Sequence, residues 1–255
     1  MAGDPSILEI ETAALSSWPA LRTAHDRSWV WRWAKGYTKR ANSVQALDPA
    51  DDEDLERRLG EMAKLSRRNR IEPVFRVTPL AAPRVAEVLA AAGWDAFDES
   101  IVLTGPLPQR DLPPGVEGRE VPSTTWAALN AAMSGYDEAS RATLAEMLAV
   151  IPAEARAFTA TAADGAPAAS ALAVRTGRIV GLFNVVTAPR YRRQGLARRL
   201  LDAAFAWGRE AGAGFAAIQV VATNEPAKRL YASYGLAERY RYHYRRPAVT
   251  VLEAK

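Results

Sequence analysis

The chain has 255 residues, 49% hydrophobic and 24% charged, with formal charge +4, no cysteine and two histidines, His25 and His243. That is a globular balance; it excludes disulfides and thiolate chemistry and leaves too few histidines for a histidine-built metal centre, so no metal is expected. No apolar run approaches the roughly 20 residues that span a bilayer, and the acidic, polar start is unlike a signal peptide, so a soluble cytoplasmic chain without a membrane partner is expected.

Along the chain, Ser28-Trp29-Val30-Trp31-Arg32-Trp33 places three tryptophans on one face of a strand by period-two alternation, which predicts core or domain-interface residues. The following run, Gly36-Tyr37-Thr38-Lys39-Arg40-Ala41-Asn42-Ser43-Val44, is too polar for an ordinary strand. Burying an unpaired guanidinium or amide is costly, so Arg40 and Asn42, with Tyr242 of the terminal strand, are candidates to touch a substrate between two lobes. A structural partner is the competing account of the same residues. Arg67, Arg68 and Arg70 form a basic cluster of the kind that usually marks a solvated helix face. A strand is predicted at 73–77, a helix at 83–92, then Gly93-Trp94 and a strand at 100–104. Residues 104–118 are rich in proline and glycine without periodicity, which predicts a domain at 1–105, a linker at 106–116 and a second domain at 117–255.

Beyond the linker the pattern is a strand at 116–121, helices at 124–133 and 139–150, and strands at 155–161, 168–174 and 178–187. Ala163-Asp164-Gly165 and Arg175-Thr176-Gly177 mark the turns between those strands. An amphipathic helix with Leu196, Leu200, Ala204 and Trp207, a strand at 216–221, a helix at 225–234 and a final strand pair complete a mixed-sheet α/β (α+β) pattern.

Where the strand ending near Thr187 turns into that helix stands Arg192-Arg193-Gln194-Gly195-Leu196-Ala197. The first turn of a helix carries N–H groups without partners and the positive end of its dipole, so a phosphate can lie there, and Gly195 has no Cβ to block the approach. Arg190, Arg192, Arg193, Arg198 and Arg199 crowd the same place. This hexapeptide resembles the R/Q-x-x-G-x-G/A pyrophosphate signature of the GNAT superfamily of acyl-CoA N-acyltransferases. Val185-Val186-Thr187-Ala188-Pro189 resembles the superfamily's pantetheine-pairing strand, and Asn224 to Leu236 resembles its N-x-x-A-x-x-L-Y-x-x-x-G-F, with Leu236 in place of the aromatic. The G-Y-T-K-R-A-N-S-V run and the ending Tyr240-Arg241-Tyr242-His243-Tyr244-Arg245 are similar to a bacterial branch of tandem GNAT proteins.

The resemblance implies a tandem fold with a degenerate N-terminal lobe and a C-terminal lobe that binds acetyl-CoA as co-substrate, through Val185, Val186, Thr187, Arg192, Arg193, Gln194, Gly195, Leu196, Ala197, Asn224 and Ala227. It implies N-acetyl transfer to a primary amine by direct attack in a ternary complex. Aligning Gly93 with Gly235 sets Leu89 opposite Tyr231, and nothing in the first half matches R/Q-x-x-G-x-G/A, so if the halves are a duplication the first has lost both the phosphate loop and the acid; an unrelated α+β cap is the competing account. Tyr231 is the candidate acid: a phenol of pKa near 10 stays protonated at neutral pH and can donate to a leaving thiolate of pKa about 8.5. Residues 179–187 contain no carboxylate, leaving Asp137, Glu138, His243 or a water relay as the base. The rival functions are a non-catalytic CoA-binding sensor, suggested by the missing strand carboxylate, and an RNA- or ribosome-associated protein, suggested by the net positive charge. Nucleic acid is the less favoured partner because the arginine runs are not interleaved with aromatics.

Overall fold

The computed structural model describes residues 3–120 and 124–248. In chain order the elements are α1 (Ile7–Ser17), β1 (Arg22–Asp26), β2 (Trp29–Trp33), β3 (Val44–Ala46), α2 (Leu55–Arg68), β4 (Phe75–Val77), α3 (Pro83–Ala91) and β5 (Trp94–Pro106). There follow β6 (Val116–Glu120), α4 (Thr124–Ser134), α5 (Glu138–Ala149), β7 (Glu154–Thr161), β8 (Pro167–Thr176), β9 (Ile179–Thr187), α6 (Leu196–Glu210), β10 (Phe215–Val221), α7 (Glu225–Ala232) and β11 (Ala237–Pro247). The expected strand at 116–121 is present, with Val121 outside the described residues. Among the described residues no helix is long and apolar enough to cross a membrane.

Two compact units form, and neither is a contiguous stretch of chain. One combines residues up to Pro19 with Ile101–Arg239, and the other combines Ala20–Ser100 with residues from Tyr240 onward. The division therefore does not fall at 106–116. Residues 107–115 are an irregular loop inside the first of these units, where Arg199 of α6 donates to the Pro114 carbonyl. Gly115 is favoured there by its left-handed backbone, φ +67°.

α1 lies outside the elements expected from sequence, although Ser6-Ile7-Leu8-Glu9 spells a capping signature. Ser6 Oγ accepts from the Glu9 N–H at 3.1 Å. The helix joins the larger unit because Arg178 grips the Glu9 carboxylate with two hydrogen bonds, 2.7 and 3.0 Å, and Trp18 stacks on Phe183 at 5.2 Å. The strand order of this unit is β5-β10-β9-β8-β7-β6. Along β8, Ala168, Ala169, Ala171, Leu172, Ala173 and Val174 are fully buried, so both of its faces are covered. Their small side chains let α1, α4 and α6 pack on this strand. α6 buries the predicted Leu196, Leu200, Ala204 and Trp207, with Leu201, in the same core.

In the smaller unit the order is β1-β2-β3-β4-β11. Trp29 and Trp31 are core residues with Leu59, Phe75, Val85 and Leu89, whereas Trp33 is half-buried. Arg58 is wholly buried against the Trp29 ring; Asp51 receives two hydrogen bonds from its guanidinium, 2.8 and 2.9 Å, and Asp26 Oδ2 a third at 3.0 Å. β11 belongs here because His243, Tyr244 and Arg245 pair with Val77, Arg76 and Phe75 of β4.

Candidate active site

β9 and β10 pair in parallel at Ile179–Gly181 against Phe215–Ala217, and the ladder stops there although β9 continues to Thr187 and β10 to Val221. On its other side β9 stays with β8, but Asn184 and Val185 together face Ala171 alone between the pairs Phe183–Leu172 and Val186–Ser170. This is a β-bulge, and Asn184 takes a left-handed backbone, φ +48°, which asparagine tolerates better than most residues. Val185, Val186 and Thr187 line the part of β9 beyond its ladder with β10, each partly exposed.

The chain then makes a 3₁₀ turn at Pro189–Tyr191, anchored by the Tyr191 hydroxyl donating to Asp164 Oδ2 at 2.7 Å. Arg192, Arg193, Gln194 and Gly195 are exposed. Arg193 (φ +65°) and Gly195 (φ +76°) are left-handed, and a left-handed residue followed by helical Leu196 turns successive N–H groups into an anion-binding concavity. No side chain caps α6, so its first-turn N–H groups face the same place as the positive end of its dipole. A Cβ on Gly195 would meet no protein atom within 4 Å. Backbone conformation therefore favours glycine at 195, and the space in front of it is open to a ligand.

The five arginines near this loop divide by task. Arg198 donates to Ser233 Oγ at 3.1 Å and Arg199 holds the loop before β6, so both brace the structure. Arg190, Arg192 and Arg193 are exposed beside the helix start.

A family model described as "Probable histone acetyltransferase Rv0428c C-terminal" matches residues 5–245. The chain belongs to that family. With it the protein is a member of the GNAT superfamily of N-acetyltransferases. Its sequence is 25% identical over 248 residues to the "Uncharacterized N-acetyltransferase YobR" of Bacillus subtilis, covering 94% of this chain and 98% of that one. Its fold is similar to that of a GCN5-related N-acetyltransferase from Kribbella flavida, with TM-score 0.71, 21% identity and 96% of each chain covered. It is also similar to a tandem GNAT protein from the clavulanic acid biosynthesis pathway, with TM-score 0.61, 13% identity, and 96% of this chain and 88% of that one covered.

In this GNAT protein Leu196 and Tyr231 belong to the hydrophobic core of the larger unit, and Val185 and Ala227 pack against that same core. Tyr231 is buried. Its neighbour Tyr234 is committed elsewhere: its hydroxyl lies 2.8 Å from Asp202 Oδ1 and 3.0 Å from the Arg198 carbonyl, and burial, then Asp202, push its pKa far up. Asn224 caps α7, its Oδ1 accepting from the Ala227 N–H at 3.2 Å, so its carboxamide oxygen organises the helix.

The candidate bases are placed unevenly. Asp137 is the exposed N-cap of α5, and its hydrogen bonds from Ser140 lower its pKa. Glu138 pairs with Arg141 at 2.6 Å. His243 lies in the smaller unit, where burial, then the Arg245 charge, lower its pKa.

The expected substrate residues also lie in the smaller unit. Asn42 is an internal brace rather than a ligand-facing group. Its Oδ1 accepts from the Ala34 and Gly36 N–H groups at 2.7 and 2.9 Å, and its Nδ2 donates to the Thr38 and Ala34 carbonyls at 2.8 and 3.3 Å. All four bonding positions of the carboxamide are occupied, which accounts for an amide in that polar run. Tyr242 is buried under the Arg76 guanidinium, 3.8 Å from the ring centre, and edge-on to Tyr244 at 5.6 Å, so its ring is packed on both. Arg40 is half-buried in a 3₁₀ turn, with its carbonyl accepting from Arg32 at 2.5 Å. Asn130 of α4 belongs to none of the sequence motifs, yet it contacts the β9 bulge directly: its Nδ2 donates to the Asn184 carbonyl at 2.9 Å. Its one local signal is an amide on an otherwise apolar helix face.

Proposed function

We propose that the protein transfers the acetyl group of acetyl-CoA to a primary amine, with the chemistry confined to the larger unit. The observation that carries this is the corner where β9, parted from its ladder with β10, runs through the left-handed Gly195 into the uncapped start of α6. Backbone N–H groups from Arg193 to Ala197 would hold the pyrophosphate, and Arg190, Arg192 and Arg193 would neutralise the phosphates. Val185, Val186 and Thr187 would pair with the pantetheine arm, with Asn224 and Ala227 near its far end.

In the reaction the neutral amine attacks the thioester carbonyl, forming the C–N bond, and an N–H of the bulged strand stabilises the oxyanion. The C–S bond then breaks, Tyr231 protonates the leaving thiolate, and water removes the proton from the nitrogen. The smaller unit, with Leu89 where the larger has Tyr231, is a degenerate copy that binds no CoA. Its strand–helix–glycine–strand run of β4, α3, Gly93 and β5 parallels β10, α7, Gly235 and β11. Calorimetry with acetyl-CoA followed by thiol release over a panel of amines tests the reading. Binding without thiol release on any amine would favour a CoA sensor, and no binding would remove the reading.

A further inference from the structure

Asn130 is the one polar residue among the buried positions of α4, which are otherwise Trp126, Ala127 and Ala131. It is wholly buried, and its Nδ2 spends both hydrogens, on the Asn184 carbonyl at 2.9 Å and on Ser170 Oγ at 2.8 Å. Its Oδ1 is buried with no hydrogen-bond partner. Turning the carboxamide over would set oxygen against the Asn184 carbonyl, so the orientation is fixed by its acceptor. A buried acceptor left unsatisfied costs stability that an apolar side chain would not, so what the residue provides is the bond to β9.

That bond falls at the bulge. The Asn184 carbonyl and the Val185 N–H belong to one planar trans peptide and point in opposite directions. Holding the carbonyl toward α4 therefore turns the Val185 N–H to the far side. It also fixes the plane from which Val185 to Thr187 continue along the edge that has left β10. The left-handed φ of Asn184 means this peptide would not be held by the regular ladder alone.

We infer that Asn130 is a positioning residue for acyl transfer: through the Asn184 carbonyl it orients the bulged peptide of β9 so that its N–H meets the thioester carbonyl of acetyl-CoA. The inference rests on the acetyltransferase reading above.

Asn130→Leu, which keeps the branched skeleton in a larger side chain and removes the donor, tests it. The thioester carbonyl stretch of acetyl-CoA labelled with ¹³C at C1 should move to lower frequency on binding the wild-type protein. In the variant that shift should shrink toward the free value. The kcat should fall roughly tenfold or more while CoA affinity stays within about threefold, a split that a merely structural role would not produce. Should Asn130→Leu fail to fold, Asn130→Ala carries the same readouts. An unchanged carbonyl shift and kcat in a folded variant, with active wild-type protein, would overturn this inference alone. A wild-type chain that binds no acetyl-CoA would remove the acetyltransferase reading and this inference with it.

Discussion

The Tyr234 hydroxyl lies 2.8 Å from Asp202 Oδ1, tying the turn after α7 to the middle of α6, whereas Tyr231, three residues earlier in the same apolar cluster, is the proposed acid. The two tyrosines should therefore respond oppositely to loss of the hydroxyl. Tyr234→Phe should lower stability by about 1–2 kcal/mol with turnover kept. Tyr231→Phe should lower kcat by roughly a hundredfold with little change in CoA affinity. Thermal melts beside steady-state kinetics decide it, and wild-type turnover in Tyr231→Phe would move the acid role elsewhere.

Gly195→Val should abolish acetyl-CoA binding. Because Gly195 has φ +76°, any side chain there also strains the backbone, so a control is needed. Gly212, with φ +88° and equally open space, lies just beyond the other end of α6. Both valine variants should lose about 1–2 kcal/mol or more of stability, but only Gly195→Val should lose the ligand in calorimetry. Equal affinity in the two would contradict a phosphate site at 195.

Asn42→Ala should act on stability and leave the acceptor KM alone. Removing the carboxamide leaves the buried Ala34 N–H without its acceptor, at a cost of about 1–3 kcal/mol. A raised acceptor KM at unchanged melting temperature would instead restore Asn42 to the substrate site.

Acid should destabilise the smaller unit through Asp51. Burial alone would raise its pKa, but hydrogen bonds from Arg58 and Ser28 outweigh burial and hold it at about 2. With a folded pKa below the unfolded one, its contribution is full above about pH 4 and disappears as pH falls toward 2, about 2 kcal/mol in all. Denaturant titrations of wild type and Asp51→Asn at pH 5 and pH 2.5 should show the gap between them narrowing in acid. A gap that stays constant would mean the Arg58 contact does not depend on the charge.

One CoA per chain is expected by titration on the proposed reading, in which Leu89 of the smaller unit stands where the larger has Tyr231. Two sites per chain would refute the degenerate-copy reading.

Features governed by near neighbours along the chain are legible in the sequence itself. The helix start at Leu196, the left-handed glycine before it and the hairpin turns at Asp164-Gly165 and Gly177 follow from backbone preferences that act over a few residues. So do the apolar periods that built β7, β8, β9 and α6, and the motif order that placed the chain among the GNAT proteins. The capping signature at Ser6 is equally local, although nothing near it says which sheet α1 covers.

Tertiary structure alone decided matters that depend on residues far apart in the chain. It assigned α1 to the larger unit through Arg178–Glu9 and Trp18–Phe183, and β11 to the smaller one through its pairing with β4. It showed the Asn42 amide to be satisfied by its own loop, and it brought Asn130 to a carbonyl 54 residues away. The physical reason is that local sequence sets the backbone conformations a segment prefers, whereas the partner of a buried polar group is settled only when the packed chain leaves it one place to bond.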